Sequence, residues 1–188
     1  MKTYRTLVKI STLIVLGALF VFFTGCKDEE EGTARLSVSL ESFNVARTTY
    51  DAVNIDIQSA SIHTSTNADE TSGWFELPTY TGIYDLLDYE AGNDTIIALE
   101  PFLEVQTVSQ IRLILGNENT IVVDGVTYDL DTPSAQSSGL KIQIHADLQP
   151  NMAYKVVLNF DVDKSIVNTG NNKYKLSPVI NASVVQVK

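Results

Sequence analysis

Residues 153–162 read AYKVVLNFDV, and their apolar side chains recur at every second position. Tyr154, Val156, Leu158 and Phe160 fall on one side of an extended chain, with Lys155, Asn159 and Asp161 on the other. Successive side chains of a strand point to opposite faces, so this spacing predicts a half-buried β-strand rather than a helix. The same period continues on both sides of it. Upstream, ARLSVSL offers Ala34, Leu36, Val38 and Leu40, and VNIDIQ offers Val53, Ile55 and Ile57. QIRLIL offers Ile111, Leu113 and Leu115, and LKIQIHADL offers Leu140, Ile142, Ile144 and Ala146, with His145 on the polar side. Downstream, YKLSPVINASVVQV reads as one last strand, with Tyr174, Leu176, Ile180, Ala182 and Val184 facing inward. GWFELP at 73–78 and GIYDLLDYE at 82–90 predict two short aromatic strands.

Turn signals separate these runs. Asp124-Gly125 between IVV and VTY predicts a two-residue type I′ hairpin. The stretches 132–139 and 168–172 predict loops, and 163–167 a single helical turn. Eight to ten alternating strands with few helices point to an all-β chain, folded as an antiparallel two-sheet β-sandwich.

The first residues follow another pattern. Lys2, Arg5 and Lys9 precede an uncharged apolar run, Ile10–Phe23. A basic start and a run shorter than the roughly 20 residues of a membrane span predict a signal peptide over 1–25. Phe23-Thr24-Gly25-Cys26 resembles the lipobox of bacterial lipoproteins. The resemblance implies cleavage before Cys26 and acylation of that cysteine with chains such as palmitate, which anchor it in outer-membrane lipid. Each buried methylene contributes about 0.8 kcal/mol, and two chains hold where one would not. Lys27, Asp28, Glu29, Glu30 and Glu31 follow directly, and residues 26–32 form a solvated acidic linker. Lys followed by a run of acids after the lipidated Cys resembles the signal that exports lipoproteins of Bacteroidetes to the cell surface. The expected location is therefore the outer membrane, lipid-anchored, facing the cell exterior.

The chain has 188 residues and a formal net charge of −10. Cleavage after Gly25 removes three basic residues and no acid, so the mature charge falls to −13. Nucleic-acid binding is not expected, because neutralising phosphates needs a basic surface. Cys26 is the sole cysteine. Without a disulfide, one hydrophobic core over 33–188 must hold the domain together.

The segments QIRLIL, VVDGVTYDLDTPSAQSSGLKI and LNFDVDKSIVNTGNNKYKLSPVI, with the opening strand GTARLSVSL, are similar to the family named domain of unknown function 4382. Its members are mostly lipoproteins of Bacteroidetes and related bacteria. The similarity covers about residues 32–186. It implies a transthyretin- or immunoglobulin-like sandwich and no established activity. The family often has Asp where Asn159 stands here.

Candidate sites are few. Asn159, Asp161 and Asp163 share a strand face, and with Asn168, Asn171 or Asn172 they offer oxygen ligands for calcium. Asp161 and Asp163 are weak candidates, since no EF-hand loop surrounds them, and no metal is expected. Ser134 and Ser137 lie in the 132–139 loop, but the two histidines, His63 and His145, stand in no nucleophile motif. No catalysis and no cofactor are expected. Of Trp74, Phe75, Tyr80, Tyr84 and Tyr89, most are expected in the core, with Tyr80 and Tyr89 left to face a ligand. Asp94-Thr95-Ile96 resembles the O-glycosylation acceptor of Bacteroidetes, with Thr95 as the acceptor. The expected function is a non-catalytic binding or adhesion module for a glycan or protein ligand. The alternative is a structural subunit or assembly component of a pilus-like or envelope complex. There, Arg47 would be a processing site and SVVQV at 183–187 a donated strand.

Overall fold

The structure, a computed structural model, describes residues 32–43, 49–64, 73–90, 92–104 and 107–187. The signal peptide, Cys26, the Lys27–Glu31 acidic run and Arg47 lie outside the described residues.

Among the described residues, thirteen strands form: β1 Ala34–Phe43, β2 Ala52–His63, β3 Trp74–Leu77, β4 Gly82–Asp85, β5 Thr95–Leu103, β6 Thr107–Leu115, β7 Thr120–Val123, β8 Val126–Asp131, β9 Leu140–Asp147, β10 Ala153–Asp161, β11 Ile166–Gly170, β12 Lys173–Leu176 and β13 Ile180–Val187. A 3-10 turn, Leu86–Asp88, and two short helices, α1 Pro133–Ser137 and α2 Val162–Ser165, interrupt them. The strands exceed the eight to ten expected because several predicted runs are cut into four-residue pieces.

Four strands make one sheet in the order β13-β10-β1-β5. The other has the order β11-β12-β8-β7-β2-β6-β9, with β3 and β4 also on β2. Ala60–His63 pair β3 and β6 at once, so these flank opposite edges of β2. The two sheets pack as a sandwich. The alternating residues predicted for β1, β2, β6 and β10 are buried, Leu36, Ile55, Leu113 and Phe160 among them.

Two features correct the sequence-based expectation. The sheets are mixed rather than purely antiparallel: β1 runs parallel to β10, and β12 to β8. A parallel pair needs a long crossover, and β1 obtains one from the chain that visits the other sheet before returning as β10. The last predicted strand is also two strands in different sheets. Pro178 has no N–H to give a ladder, so the chain leaves β12 and crosses to β13. The crossing is fixed by Ser165: its carbonyl accepts from Ser177 N at 2.7 Å, and its hydroxyl accepts from Val179 N at 2.9 Å.

The turns follow their residues. Asp124 and Gly125 both have left-handed φ, 52° and 74°, as the type I′ hairpin between β7 and β8 requires. Asn171 and Asn172, at 53° and 57°, turn β11 into β12. The 132–139 segment holds α1 with Pro133 in its first turn.

Between β6 and β7, residues 116–119 bulge away from β2. Gly116 N donates to the Asp56 carbonyl at 2.7 Å, and Asp56 N donates to Asn119 Oδ1 at 2.9 Å. Asn119 Nδ2 donates back to the Gly116 carbonyl at 2.7 Å and to Thr132 Oγ1 at 3.1 Å. Asn119 thus replaces the ladder bonds that the extra residues displace.

Candidate functional site

β8 and β12 are ladder-paired only at Leu130 with Tyr174 and at Asp131 with Lys175. Ahead of those pairs, a groove of about 520 Å³ lies between Thr127–Asp129 of β8 and Asn172–Lys173 at the start of β12. The β11–β12 turn bounds it through Thr169, whose hydroxyl donates to the Lys173 carbonyl at 3.0 Å. The left-handed asparagines of that turn hold its backbone in place.

Alternation along the two strands determines what faces the groove. Tyr174 is buried in the core and Tyr128 is half-buried, their ring centroids 5.5 Å apart and inclined at 46°. Thr127, Asp129, Asp131, Lys173 and Lys175 are exposed around them. Among the described residues, no salt bridge joins either aspartate to either lysine. Carboxylates that only accept, ammoniums that only donate, and hydroxyls that do both therefore stand free on the outer face, while the phenol pair of the same strands leans on the core. That set suits a ligand carrying many hydroxyls.

Tyr50 borders the same region. Burial pushes its phenol pKa up, and the Asp163 carboxylate and Tyr174 nearby act in the same direction.

The residues singled out from sequence are placed as follows. Asp161 is a buried helix cap: its Oδ1 accepts from Lys164 N at 3.2 Å and its Oδ2 pairs with Lys164 Nζ at 2.7 Å. Asp163 stands in the first turn of α2, exposed. Among the described residues, no three His, Cys, Asp or Glu side chains converge as a metal would need. Ser134 and Ser137 lie on exposed positions of α1, where Ser137 Oγ donates to the Pro133 carbonyl at 3.2 Å. His145 is an exposed residue of β9 with φ 51°.

The aromatic cluster divides. Trp74 is half-buried, with His63 edge-on at 5.0 Å and the Arg112 guanidinium over its ring at 4.3 Å. Tyr80 is 55% exposed. Tyr89 is half-buried against the core, its ring 6.2 Å from that of Tyr84. Sequence reading did not anticipate the buried pair of His63 Nδ1 and Ser109 Oγ, 3.0 Å apart. Nor did it anticipate Tyr128, Asp129 and Lys173 as a site.

Thr95 opens β5, half-buried, and pairs with Leu40. Beside it, Asp94 lies 2.9 Å from Lys155 Nζ. Burial works against the Asp94 charge, but the Lys155 bond first, then Ser39, the Lys155 charge and the Asp94 backbone, outweigh it and hold the carboxyl below its ordinary value of 3.8. A pKa lower in the folded than in the unfolded state adds stability above the unfolded value. That increment is lost as pH falls through the folded value. Asp94→Asn is therefore expected to flatten the acid limb of a stability–pH profile below about pH 4, with the profile from pH 6 to 8 unchanged in shape. Urea unfolding at each pH checks it, and an unaltered acid limb would clear Asp94 of any part in acid sensitivity.

A family model described as Domain of unknown function (DUF4382) matches residues 33–178. No curated protein and no solved structure matches the chain.

Proposed function

Because the chain belongs to the DUF4382 family, whose description states no activity, we propose its function from its own residues: a lipid-anchored outer-membrane lipoprotein, facing the cell exterior, whose β-sandwich is a non-catalytic glycan-binding module. The observation that carries the binding half is the groove between β8 and β12, with Asp129, Asp131, Lys173 and Lys175 uncommitted to one another around Tyr128 and Tyr174. Carboxylates accept pairs of sugar hydroxyls, and lysines donate to ring and hydroxyl oxygens.

The anchoring half rests on sequence. Cys26 after an apolar run supplies the acylation site, and Lys27–Glu31 the export signal. On intact cells, an epitope at the C-terminus of the wild type is expected to be reached by antibody. A variant with Lys27–Glu31 replaced by alanine is expected to stay hidden at equal abundance. Equal labelling of both would leave the acidic run as a mere spacer.

For the groove, glycan-array binding is expected for the wild type. Asp129→Ala combined with Lys175→Ala is expected to weaken it tenfold or more, about 1.4 kcal/mol, without lowering the melting temperature. Binding that survives this pair would sink the assignment.

A second reading, an assembly subunit, is favoured by β13. It is an edge strand of the four-stranded sheet and carries no charge from Ile180 to Val187. Such an edge is open to pairing with another chain. Val185→Lys is expected to abolish any oligomer formed that way, as read by analytical ultracentrifugation.

A further inference from the structure

We infer that one end of the four-stranded sheet is a membrane-docking face, with Phe102 and Met152 inserted among phospholipid headgroups. This rests on the reading of Cys26 as the lipidated residue.

The topology brings several strand ends together at this place. β1 begins there, β10 begins there, and β5 and β13 end there. A single row crosses the sheet from Val187 through Ala153 to Arg35, and the adjacent Ala34 pairs with Leu103. The chain enters β1 from Gly32 and Thr33, and Thr33 is tied to the same end: its carbonyl accepts from Asn151 N at 2.9 Å. Five residues, Lys27 to Glu31, and so six steps of chain, link Cys26 to Gly32. Fully extended they reach about 20 Å. An acylated Cys26 therefore keeps this end within that distance of the bilayer surface.

Two large apolar side chains stand in water there, and Phe102 is the most exposed of the large hydrophobics among the described residues. Phe102 is 73% exposed and Met152 44%. They share a shallow groove of about 200 Å³ with Arg35, Pro101 and Asn151. Among the described residues that lining holds one cation, Arg35, and the carboxylate of Glu100 adjoins it, its Oε1 accepting from Phe102 N at 3.0 Å. A large exposed aromatic beside a thioether and a lone arginine offers apolar surface next to a cation. It is matched to an interface of acyl chains topped by phosphates. The glycan groove lies toward the other end. Tyr174 in that groove adjoins Tyr50 and Asp163, just beyond the Phe43–Asp161 pair that closes β1. Docking the Phe102 end on lipid leaves the groove pointing away from it.

The test uses the full chain, expressed with its signal peptide and reconstituted in phosphatidylcholine–phosphatidylethanolamine vesicles carrying brominated acyl chains. Trp74→Phe removes the one native indole, and Phe102→Trp or Val126→Trp then supplies a reporter. Val126 lies in the β7–β8 hairpin, next to Asp51 at the opposite end. Bromolipid is expected to lower the emission of the F102W reporter at least twofold and leave that of V126W unchanged, while aqueous acrylamide does the reverse. Intact mass of the same sample reports acylation of Cys26. An acylated chain whose F102W indole responds to acrylamide and not to bromolipid overturns the docking face alone. An unacylated chain overturns the anchor and the face together. An F102W indole shielded from both quenchers would overturn the lipid contact in favour of a second copy on this surface.

Discussion

Phe160→Ala is expected to destabilise the domain by about 3–5 kcal/mol, the range for emptying an aromatic site in a packed core. Phe160 is fully buried and heads the largest buried side chains. It pairs with Ser42 of β1 on one side and Ile180 of β13 on the other, so it lies where the parallel and antiparallel ladders meet. The next residue, Asp161, caps α2, so loosening position 160 also disturbs the entry to β11. Urea unfolding followed by far-UV circular dichroism measures the loss as a fall in midpoint with an unchanged slope. Phe102→Ala is the matched control. Its side chain is mostly in water, and its substitution is expected to fall within about 0.5 kcal/mol of wild type. Equal effects at the two positions would contradict the placement of Phe160 in the core.

Gly116→Ala is the second large effect, expected at about 2–4 kcal/mol, because overpacking and the loss of buried hydrogen bonds act together. A Cβ added at Gly116 would overlap Asp56 Oδ2 and stand 2.8 Å from Gln58 Nε2. Asp56 is buried and cannot simply swing aside. Its Oδ1 accepts from Gln58 Nε2 at 2.5 Å, and its Oδ2 from Glu118 N at 3.4 Å. Displacing the carboxylate breaks both bonds and disturbs the bulge that Asn119 closes. The discriminating variant adds Asp56→Ala. If the clash is the cause, the double variant is less destabilised than the sum of the two single changes. Strict additivity would place the cost in the backbone at 116 instead.

Much of the architecture was legible because alternation directly reports which face of a strand is buried. Leu36, Ile55, Leu113 and Leu158 are in the core on the side that their spacing indicates. Asp124-Gly125 forms the turn that its left-handed preferences demand. Alternation does not report which strand lies alongside. The parallel pairing of β1 with β10 joins segments more than a hundred residues apart, and no local pattern encodes that register. The sequence reading runs one strand straight through Pro178, where the chain instead passes between sheets.

The candidate site was less legible for the same reason. Asp129, Asp131, Lys173 and Lys175 each read as ordinary solvated positions on their own strands. They form a groove only because β8 and β12 meet at two residues and no further. Aromatic density pointed to residues 74–89 instead. There Tyr80 is exposed but Tyr89 leans on the core, and Trp74 is occupied by His63 and Arg112. Asp161 drew notice as a potential ligand to calcium, and its carboxylate caps α2 and pairs with Lys164.

The placement of β1 has a mechanical consequence. A chain held in a membrane at Cys26 and pulled through a bound surface glycan takes up tension through the first strand, along its own axis. β1 is flanked by β10 on one side and β5 on the other, with nine register pairs to β10 alone. Force applied along such a strand strains its flanking hydrogen bonds together, in shear, instead of peeling them one after another. Under the proposed anchoring at Cys26, a central first strand would let a small domain with no disulfide transmit drag to a lipid anchor without unravelling from the tethered end.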